Sequence, residues 1–272
     1  MNFIEKLAQA IQKNQSLLCV GLDPDPALMP SGTGIYEFNK VIIDATADLV
    51  CAYKPNFAFY EALGTEGIDA LKRTVDYIPE GIPVIGDAKR SDIGNTAKAY
   101  AKSIFSYFNF DATTVNPYLG FDSVEPFLQY RDRGVFVLCR TSNSGAVDFQ
   151  SLPCEVNGRR HLLFEVVAEK VSQWNVYGNL GLVVGATYPE ELKLIRQRFP
   201  EMLLLIPGVG AQGGELSQVV SYGIDTAKRR TIINSSRQIL YASRKQDFAL
   251  AAGHAAAELR NQINHFIANP VP

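Results

Sequence analysis

The chain has 272 residues, of which 47% are hydrophobic and 20% are charged, and its formal net charge at pH 7 is -2. That balance is typical of a globular protein and offers no general attraction to nucleic acid or to an anionic membrane. The start of the chain lacks a secretory signal pattern, and no apolar run approaches the roughly 20 residues that span a bilayer, so we expect a cytoplasmic protein without nucleic-acid or membrane partners.

Short apolar runs alternate with helical patterns from one end of the chain to the other. The runs are leucine-rich or β-branched and almost continuously apolar, as parallel strands buried on both faces are. Residues 1–15 are predicted to form an extra helix before the first strand, and residues 247–266 a long closing helix. The predicted strands span 16–22, 50–54, 83–87, 112–116, 135–139, 181–185, 202–207 and 231–234.

The segments between these strands carry amphipathic or mixed patterns. Eight strands with crossover helices predict an α/β fold, a single (β/α)8 TIM barrel with an extra N-terminal helix, which needs about 250 residues. A count of seven strands would leave an open doubly wound sheet possible. No linker divides the chain, so residues 1–272 are expected to form one domain. The predicted helices span 36–48, 67–77, 95–107, 123–132, 162–174, 189–198 and 215–222.

The cysteines and histidines give no sign of a disulfide framework or of a metal site. Three of the four cysteines lie in apolar runs, where a thiol behaves as a small hydrophobic group, and this usage fits a reducing compartment. The three histidines are far apart, so no zinc-type ligand set is visible.

One connection is unusually long. Residues 140–160 contain polar and turn-forming residues, and no helix is predicted before about His161. Loops longer than about 12–15 residues within compact domains are often lids or binding loops. A tolerated surface insertion is the alternative interpretation.

The third predicted strand runs into the sequence Asp87-Ala-Lys89-Arg90-Ser91-Asp92. Residues two apart on a strand share a face, so Asp87 and Lys89 are expected to point the same way. Asp92 and Thr96 share a face if the following helix has begun by Asp92. The cluster is a candidate catalytic site, and a structural ion pair is the alternative.

Two further ionisable residues end the first two strands. Asp23 precedes a proline, where an aspartate more commonly ends a strand in an Asx-turn, whereas Lys54 lies where an apolar strand meets the mouth of the barrel. Two lysines and two aspartates at this end of the barrel form an alternating network in which each charge offsets the burial of the next.

The last two strand ends predict a phosphate site. Residues 207–214 form a glycine-rich loop that includes Gln212 and Gly213, and Arg237 follows the eighth strand. Backbone N–H groups of such loops approach anions closely, and the loops after strands seven and eight of these barrels often hold a phosphate. Glycine-rich turns also occur as plain tight turns.

These motifs resemble those of the orotidine 5'-phosphate decarboxylase family, in its longer bacterial branch. The resemblance rests on Gly21-Leu22-Asp23, Tyr53-Lys54-Pro55-Asn56, the stretch from Asp87 to Thr96, the loop of residues 207–214, and Arg237. It implies a homodimer without cofactor or metal that converts orotidine 5'-monophosphate to UMP and CO2, the last step of de novo UMP synthesis.

The resemblance also implies a role for each candidate residue. Lys89 would protonate C6 of the pyrimidine, Asp87 would lie against the departing carboxylate, and Lys54 would complete the charge network. Asp92 and Thr96 would reach into the partner subunit's site. The substrate contacts would come from Asp23 to a ribose hydroxyl, from Ser142 to the pyrimidine amide, and from Gln212, Gly213 and Arg237 to the phosphate, with Thr141, Asn143 and Ser144 competing for the contact of Ser142.

Other functions are compatible with parts of this pattern. Magnesium-dependent sugar-phosphate decarboxylases or epimerases use a similar motif, but Lys54 stands where those enzymes would need an acidic ligand. A Schiff-base aldolase would need a lysine in a less acidic setting. A barrel that merely binds a nucleotide would not need the complete acid-base set.

Overall fold

The computed structural model describes residues 1–209 and 215–271. Most of the strands in these residues belong to one parallel sheet, and two form a separate hairpin. The strands are β1 (Leu18–Leu22), β2 (Ala52–Pro55), β3 (Ile85–Arg90), β4 (Ala112–Val115), β5 (Gly134–Arg140), β6 (Pro153–Val156), β7 (Arg159–Leu162), β8 (Leu180–Val184), β9 (Leu203–Pro207) and β10 (Thr231–Ser235).

Eight of these described strands pair in parallel in the order β2-β1-β10-β9-β8-β5-β4-β3. Isolated bridges between Tyr53 and Val84 and between Asn56 and Asp87 join the two edge strands. The sheet therefore closes on itself, and the predicted (β/α)8 barrel is confirmed.

Helices surround the barrel and connect its strands. A π-helical turn, Ser103–Tyr107, continues α5, and a 3-10 turn, Ser144–Asp148, follows β5. The helices in the described residues are α1 (Phe3–Asn14), α2 (Ile35–Thr46), α3 (Phe57–Glu61), α4 (Gly64–Tyr77), α5 (Gly94–Lys102), α6 (Phe121–Leu128), α7 (Leu163–Trp174), α8 (Pro189–Arg198), α9 (Leu216–Gly223), α10 (Arg237–Leu240) and α11 (Phe248–Ala268).

The extra N-terminal helix α1 closes the amino end of the barrel. Asn2 and Glu5 form a reciprocal capping box that starts the helix. Phe3 and Leu7 are buried with the residues that point into the barrel, and the ring of Phe3 meets that of Phe136 edge to face at 5.9 Å between centroids. Burial of this apolar face anchors the helix, because a helix of this length is marginal alone in water.

The connection after β5 contains regular structure that the sequence analysis did not predict. β6 and β7 form an antiparallel hairpin, and its turn places Asn157 at φ 53° and Gly158 at φ 71°. Positive φ at both positions matches the tight hairpin turn that Asn-Gly favours. The prediction of no helix before about His161 agrees with the start of α7 at Leu163, apart from the 3-10 turn Ser144–Asp148.

Two further expectations concern β3 and the membrane. The strand predicted to end at Asp87 continues to Arg90, so the acid-base cluster lies on the strand itself. No helix among the described residues has the length and apolarity needed to cross a membrane.

Candidate active site

A cavity of about 510 Å³ opens at the carboxyl ends of the barrel strands. One side carries charged and polar groups from β1 to β4, and the opposite side is apolar, with Leu138, Val183 and Leu205. The polar and charged lining residues are Asp23, Lys54, Asn56, Asp87, Lys89, Thr114, Thr141, Ser142, Asn143, Gln150, Asn234, Ser235, Ser236 and Arg237.

The Asp87 carboxylate is the centre of the charged side. Lys54 Nζ donates to Oδ2 at 2.8 Å, and Lys89 Nζ donates to Oδ1 at 2.6 Å. Thr114 Oγ1 also donates to Oδ1, at 2.9 Å. The expectation that Asp87 and Lys89 share a face is confirmed by this contact, and Lys54 comes to the same carboxylate from the neighbouring strand.

The two lysines differ in their surroundings. The side chain of Lys54 is only 5% exposed, whereas that of Lys89 is 46% exposed. Lys54 therefore serves as a buried counter-charge, and the Lys89 ammonium remains accessible from the cavity.

The charges of this network stabilise one another against the cost of burial. Burial opposes charge on the Asp87 carboxyl, but Lys54 and Lys89 outweigh it and hold the pKa of Asp87 well below its ordinary value. Burial likewise opposes charge on Lys54, yet Asp87 and Asp23 raise the pKa of Lys54 above its ordinary value. Both groups are therefore ionised at neutral pH.

Asp23 lies at the end of β1 with one oxygen unpaired. Its Oδ1 is buried and has no hydrogen-bond partner among the described residues. Burial raises the pKa of Asp23, although Lys54 and the Ser236 hydroxyl act against the rise. Gly21 makes room for that hydroxyl, because a Cβ there would come within 1.8 Å of Ser236 Oγ.

Two tyrosines hold the backbone on either side of Asp23. Tyr60 donates its hydroxyl to the carbonyl of Leu22 at 2.9 Å, and Tyr241 donates to the carbonyl of Asp23 at 2.9 Å. The Tyr241 oxygen also accepts from the N–H of Asp25 at 2.7 Å. These bonds fix the position of Asp23 at the cavity wall.

The end of β10 adds further polar side chains to the cavity wall. Asn234 Oδ1 and Ser235 Oγ are buried and have no hydrogen-bond partner within residues 1–209 and 215–271. Arg237 begins α10 and is an exposed residue at the rim of the cavity. Gln212 and Gly213, the other predicted phosphate ligands, lie outside the described residues.

The loop after β5 brings Ser142 to the cavity together with Thr141 and Asn143. Gln150 braces this segment, because its side chain accepts from the N–H of Thr141 at 2.8 Å and donates to the Thr141 hydroxyl at 2.8 Å. Gln150 was not among the predicted site residues. Its distance of nine residues from Thr141 matches no helical or strand spacing, so no pattern signal was present.

Asp92 and Thr96 do not line the cavity of their own chain within the described residues. Asp92 lies between β3 and α5 and accepts from the N–H of Ile93, and Thr96 is exposed on α5. Because α5 begins at Gly94, Asp92 precedes the helix, and the condition for a shared helical face is not met.

Thr114 and Asn234 are further cavity residues that the sequence analysis did not assign. Both occupy inward positions of strands that read as apolar runs. A polar residue near the carboxyl end of an apolar strand could have marked them as cavity residues, because barrel strands point alternate residues into the interior.

The fold and the cavity define the class of this protein. It is an α/β barrel with ionisable side chains gathered at the carboxyl ends of the strands, where barrel enzymes have their active sites. The chain belongs to the orotidine 5'-phosphate decarboxylase / HUMPS family, whose family model matches residues 16–252. The family expected from the sequence motifs is confirmed.

Named relatives cover almost the whole chain. Orotidine 5'-phosphate decarboxylase of Dehalococcoides mccartyi (strain CBDB1) is 54% identical over 266 residues, which are 98% of this chain and 98% of the relative. The enzyme of the same name from Ralstonia pickettii (strain 12J) is 52% identical over 275 residues, with 98% and 99% covered. The structure of Leishmania donovani OMP decarboxylase superposes with a TM-score of 0.85 at 42% identity, with 98% of this chain and 100% of that chain covered.

These comparisons also decide between the alternatives. Relatives at about half identity are carboxy-lyases by name, and the magnesium-dependent sugar-phosphate alternative receives no support.

Proposed function

We propose that this chain decarboxylates orotidine 5'-monophosphate to UMP and CO2, as a cytoplasmic homodimer of one domain spanning residues 1–272, without a cofactor or metal. The observation that carries the proposal is the Asp87 carboxylate held between two lysines at 2.8 and 2.6 Å. Lys54 is buried and suits the role of a counter-charge, whereas the half-exposed ammonium of Lys89 can reach a substrate in the cavity.

Lys89 is the proposed proton donor to C6 of the pyrimidine. Loss of CO2 leaves an electron pair in an sp2 orbital at C6, which the ring π-system does not delocalise. An ammonium group held beside that carbon stabilises the negative charge as it forms and then transfers a proton to it. The contact of Lys89 with Asp87 supports this role, because it restrains an otherwise flexible side chain.

Asp87 and Lys54 are the proposed remainder of the reacting centre. Asp87 would lie beside the substrate carboxylate, so that like charges favour the departure of CO2. The low pKa of Asp87, which its two lysine partners hold down against burial, supports a permanently charged carboxylate there. Lys54 would keep that charge stable in a buried place.

Five other residues are the proposed binding groups for the nucleotide. Asp23 would accept from a ribose hydroxyl, which agrees with its buried Oδ1, for which the described part of the chain supplies no hydrogen-bond partner. Ser142 would contact the pyrimidine amide, in competition with Thr141, Asn143 and Ser144. Gln212 and Gly213, together with Arg237 at the cavity rim, would bind the phosphate.

The proposed dimer would complete each site with Asp92 and Thr96 of the partner subunit. Neither residue lines the cavity of its own chain within the described residues, which leaves both available to another copy. Exposed apolar side chains follow β3 and β4 on the same rim, and such surface is typical of an interaction site. These side chains are Ile93, Tyr118, Leu119 and Phe121.

The main test is the formation of UMP from orotidine 5'-monophosphate by the wild-type chain and by Lys89→Ala. We expect the variant to lose about 10⁴-fold or more in kcat, because it lacks both the proton donor and the stabilising charge. Lys170→Ala removes an exposed lysine on α7 and is the matched control, which should keep wild-type turnover. An inactive wild type, or an active Lys89→Ala variant, would contradict the proposal.

Sharing of the site between subunits is tested by mixing two inactive variants. Asp92→Ala and Lys89→Ala chains, unfolded and refolded together, should regain about a quarter of wild-type activity, because half of the dimers are mixed and each holds one intact site. Tagged subunits establish that mixed dimers form. No recovery in a sample that contains them would contradict the contribution in trans.

A further inference from the structure

Thr114 lies at the point where the two catalytic candidates of β3 meet β4. Its side chain is almost completely buried, with the residue 2% exposed. The hydroxyl oxygen accepts from the backbone N–H of Lys89 at 3.0 Å and donates to Asp87 Oδ1 at 2.9 Å. A threonine hydroxyl has one hydrogen and two lone pairs, so both bonds form at once.

The pairing between β3 and β4 is irregular at this place. Gly86 pairs with Thr113 and Arg90 pairs with Val115, so three residues of β3, Asp87 to Lys89, stand opposite the single residue Thr114. Such a bulge bends a strand and changes the direction of its side chains. The bulge therefore lies at the residues of β3 whose side chains, Asp87 and Lys89, line the cavity.

Lys89 has a backbone conformation that needs support. Its φ of 48° is in the left-handed region, which residues other than glycine seldom adopt. Conformations of this kind persist only where surrounding contacts impose them. The bond from the Lys89 N–H to Thr114 is such a contact, and Asp87 ties the other end of the same side chain.

We propose that Thr114 is a positioning residue, whose hydroxyl holds the backbone of Lys89 and the carboxylate of Asp87 in the arrangement that places the Lys89 ammonium. This inference rests on the proposed role of Lys89. Thr114 acts through Lys89 and Asp87, so its loss affects turnover and not the remote contacts that bind the nucleotide.

The test compares two neighbouring threonines on β4. Thr114→Val replaces the hydroxyl with a methyl group of similar size and leaves the Lys89 N–H and one Asp87 oxygen without this partner. Thr113→Val is the matched control, because Thr113 is also buried and its hydroxyl donates to the carbonyl of Gly86 at 2.9 Å, not to the Asp87 carboxylate. Thr114→Val loses two buried hydrogen bonds, to the Lys89 N–H and to the Asp87 carboxylate, whereas Thr113→Val loses the bond to the Gly86 carbonyl.

We expect Thr114→Val to lower kcat by about 10- to 100-fold, as small displacements of reacting groups do, with KM and the affinity for UMP within about twofold of wild type. Thr113→Val should lose stability without that loss in kcat. Thr114→Ser keeps the hydroxyl and should restore most of the activity.

Several results would overturn the inference. One is equal kcat for the Thr114→Val and Thr113→Val variants, and another is loss of UMP affinity in parallel with kcat. A third is failure of folded Thr114→Ser to recover turnover. Lys89→Ala in the same assay distinguishes failure of this inference from failure of the proposed function. If Lys89→Ala is inactive and Thr114→Val is fully active, only the role of Thr114 is contradicted. If Lys89→Ala is active, the proposed function itself is contradicted.

Discussion

The two ends of the barrel are built from the same strands but differ in what they bury. At the amino end, inward residues such as Cys19, Ile85 and Phe136 are apolar, and α1 covers them with Phe3 and Leu7. At the carboxyl end, the same strands present charged groups to an open cavity of about 510 Å³. One inward step along β3, from Ile85 to Asp87, separates packing from chemistry.

The contrast between the two ends shows how the barrel accommodates charged groups that are costly to bury. Each end contains a lysine–aspartate contact of 2.8 Å, Lys6 with Asp111 near the amino end and Lys54 with Asp87 at the cavity. The first pair is more exposed and staples α1 to the chain, whereas the second is almost wholly buried. The apolar end stabilises the barrel, and the charged end depends on mutual compensation among its groups.

Breaking the ion pair at each end should give the largest contrast. Lys54→Ala is expected to lower the free energy of unfolding by about 3–5 kcal/mol, because Asp87 stays buried with only the half-exposed Lys89 as a cationic partner, and to abolish turnover. Lys6→Ala should cost about 1 kcal/mol and leave turnover unchanged. Urea unfolding and UMP formation measure both effects. Equal losses of stability, or activity in Lys54→Ala, would contradict the contrast.

Two buried leucines test the same contrast through packing alone. Leu7 belongs to the amino end, and Leu205 lies in the apolar side of the cavity. Truncation of either to alanine should cost about 2–5 kcal/mol, because each leaves a void in a packed interior. Only Leu205→Ala should lower kcat/KM, by about tenfold, because it leaves space in the apolar side of the cavity against which the substrate would pack. A matching loss of kcat/KM in Leu7→Ala would show that the ends are not independent.

The smallest expected effect on stability is a gain, in Asp23→Asn. Burial raises the pKa of Asp23 above the unfolded value of 3.8. The folded chain therefore holds a proton more readily than the unfolded chain, and stability falls as pH rises through the folded pKa. Removal of this carboxylate should raise the free energy of unfolding at pH 7 and lower kcat/KM, and the gain in stability should shrink as pH falls through the folded pKa.

Urea titrations of Asp23→Asn and wild type between about pH 4 and pH 8 measure this dependence. Asp25→Asn is the control, because Asp25 is in the same loop but its carboxylate caps the N–H of Ala27 and does not line the cavity. A stability gain at pH 7 that is equal in both variants would assign the effect to the loop and not to burial of Asp23.

Much of the fold followed from patterns that are local in the chain. Continuous apolar runs such as that of β8, in which every residue is buried, predict barrel strands whatever lies across from them. The gathering of Asp23, Lys54 and Asp87 towards the carboxyl end of the barrel followed as well, because the carboxyl ends of parallel strands meet at one edge. The hairpin β6–β7 was missed, because its half-exposed strands of four residues each carry no core pattern.

The order of strands and helices, the family, and the end of the barrel where the charged residues gather could all be inferred from the amino-acid sequence. Tertiary contacts were needed to show which oxygen of Asp87 each lysine contacts, that Thr114 stands opposite a bulge, and that Oδ1 of Asp23 has no hydrogen-bond partner within residues 1–209 and 215–271. The cause is separation along the sequence. Hydrophobic periodicity and strand ends depend on residues that are close together in the chain, so a single segment reveals them. The contacts among Lys54, Asp87 and Thr114 join residues about thirty apart, and they depend on the register between strands, which no single segment specifies.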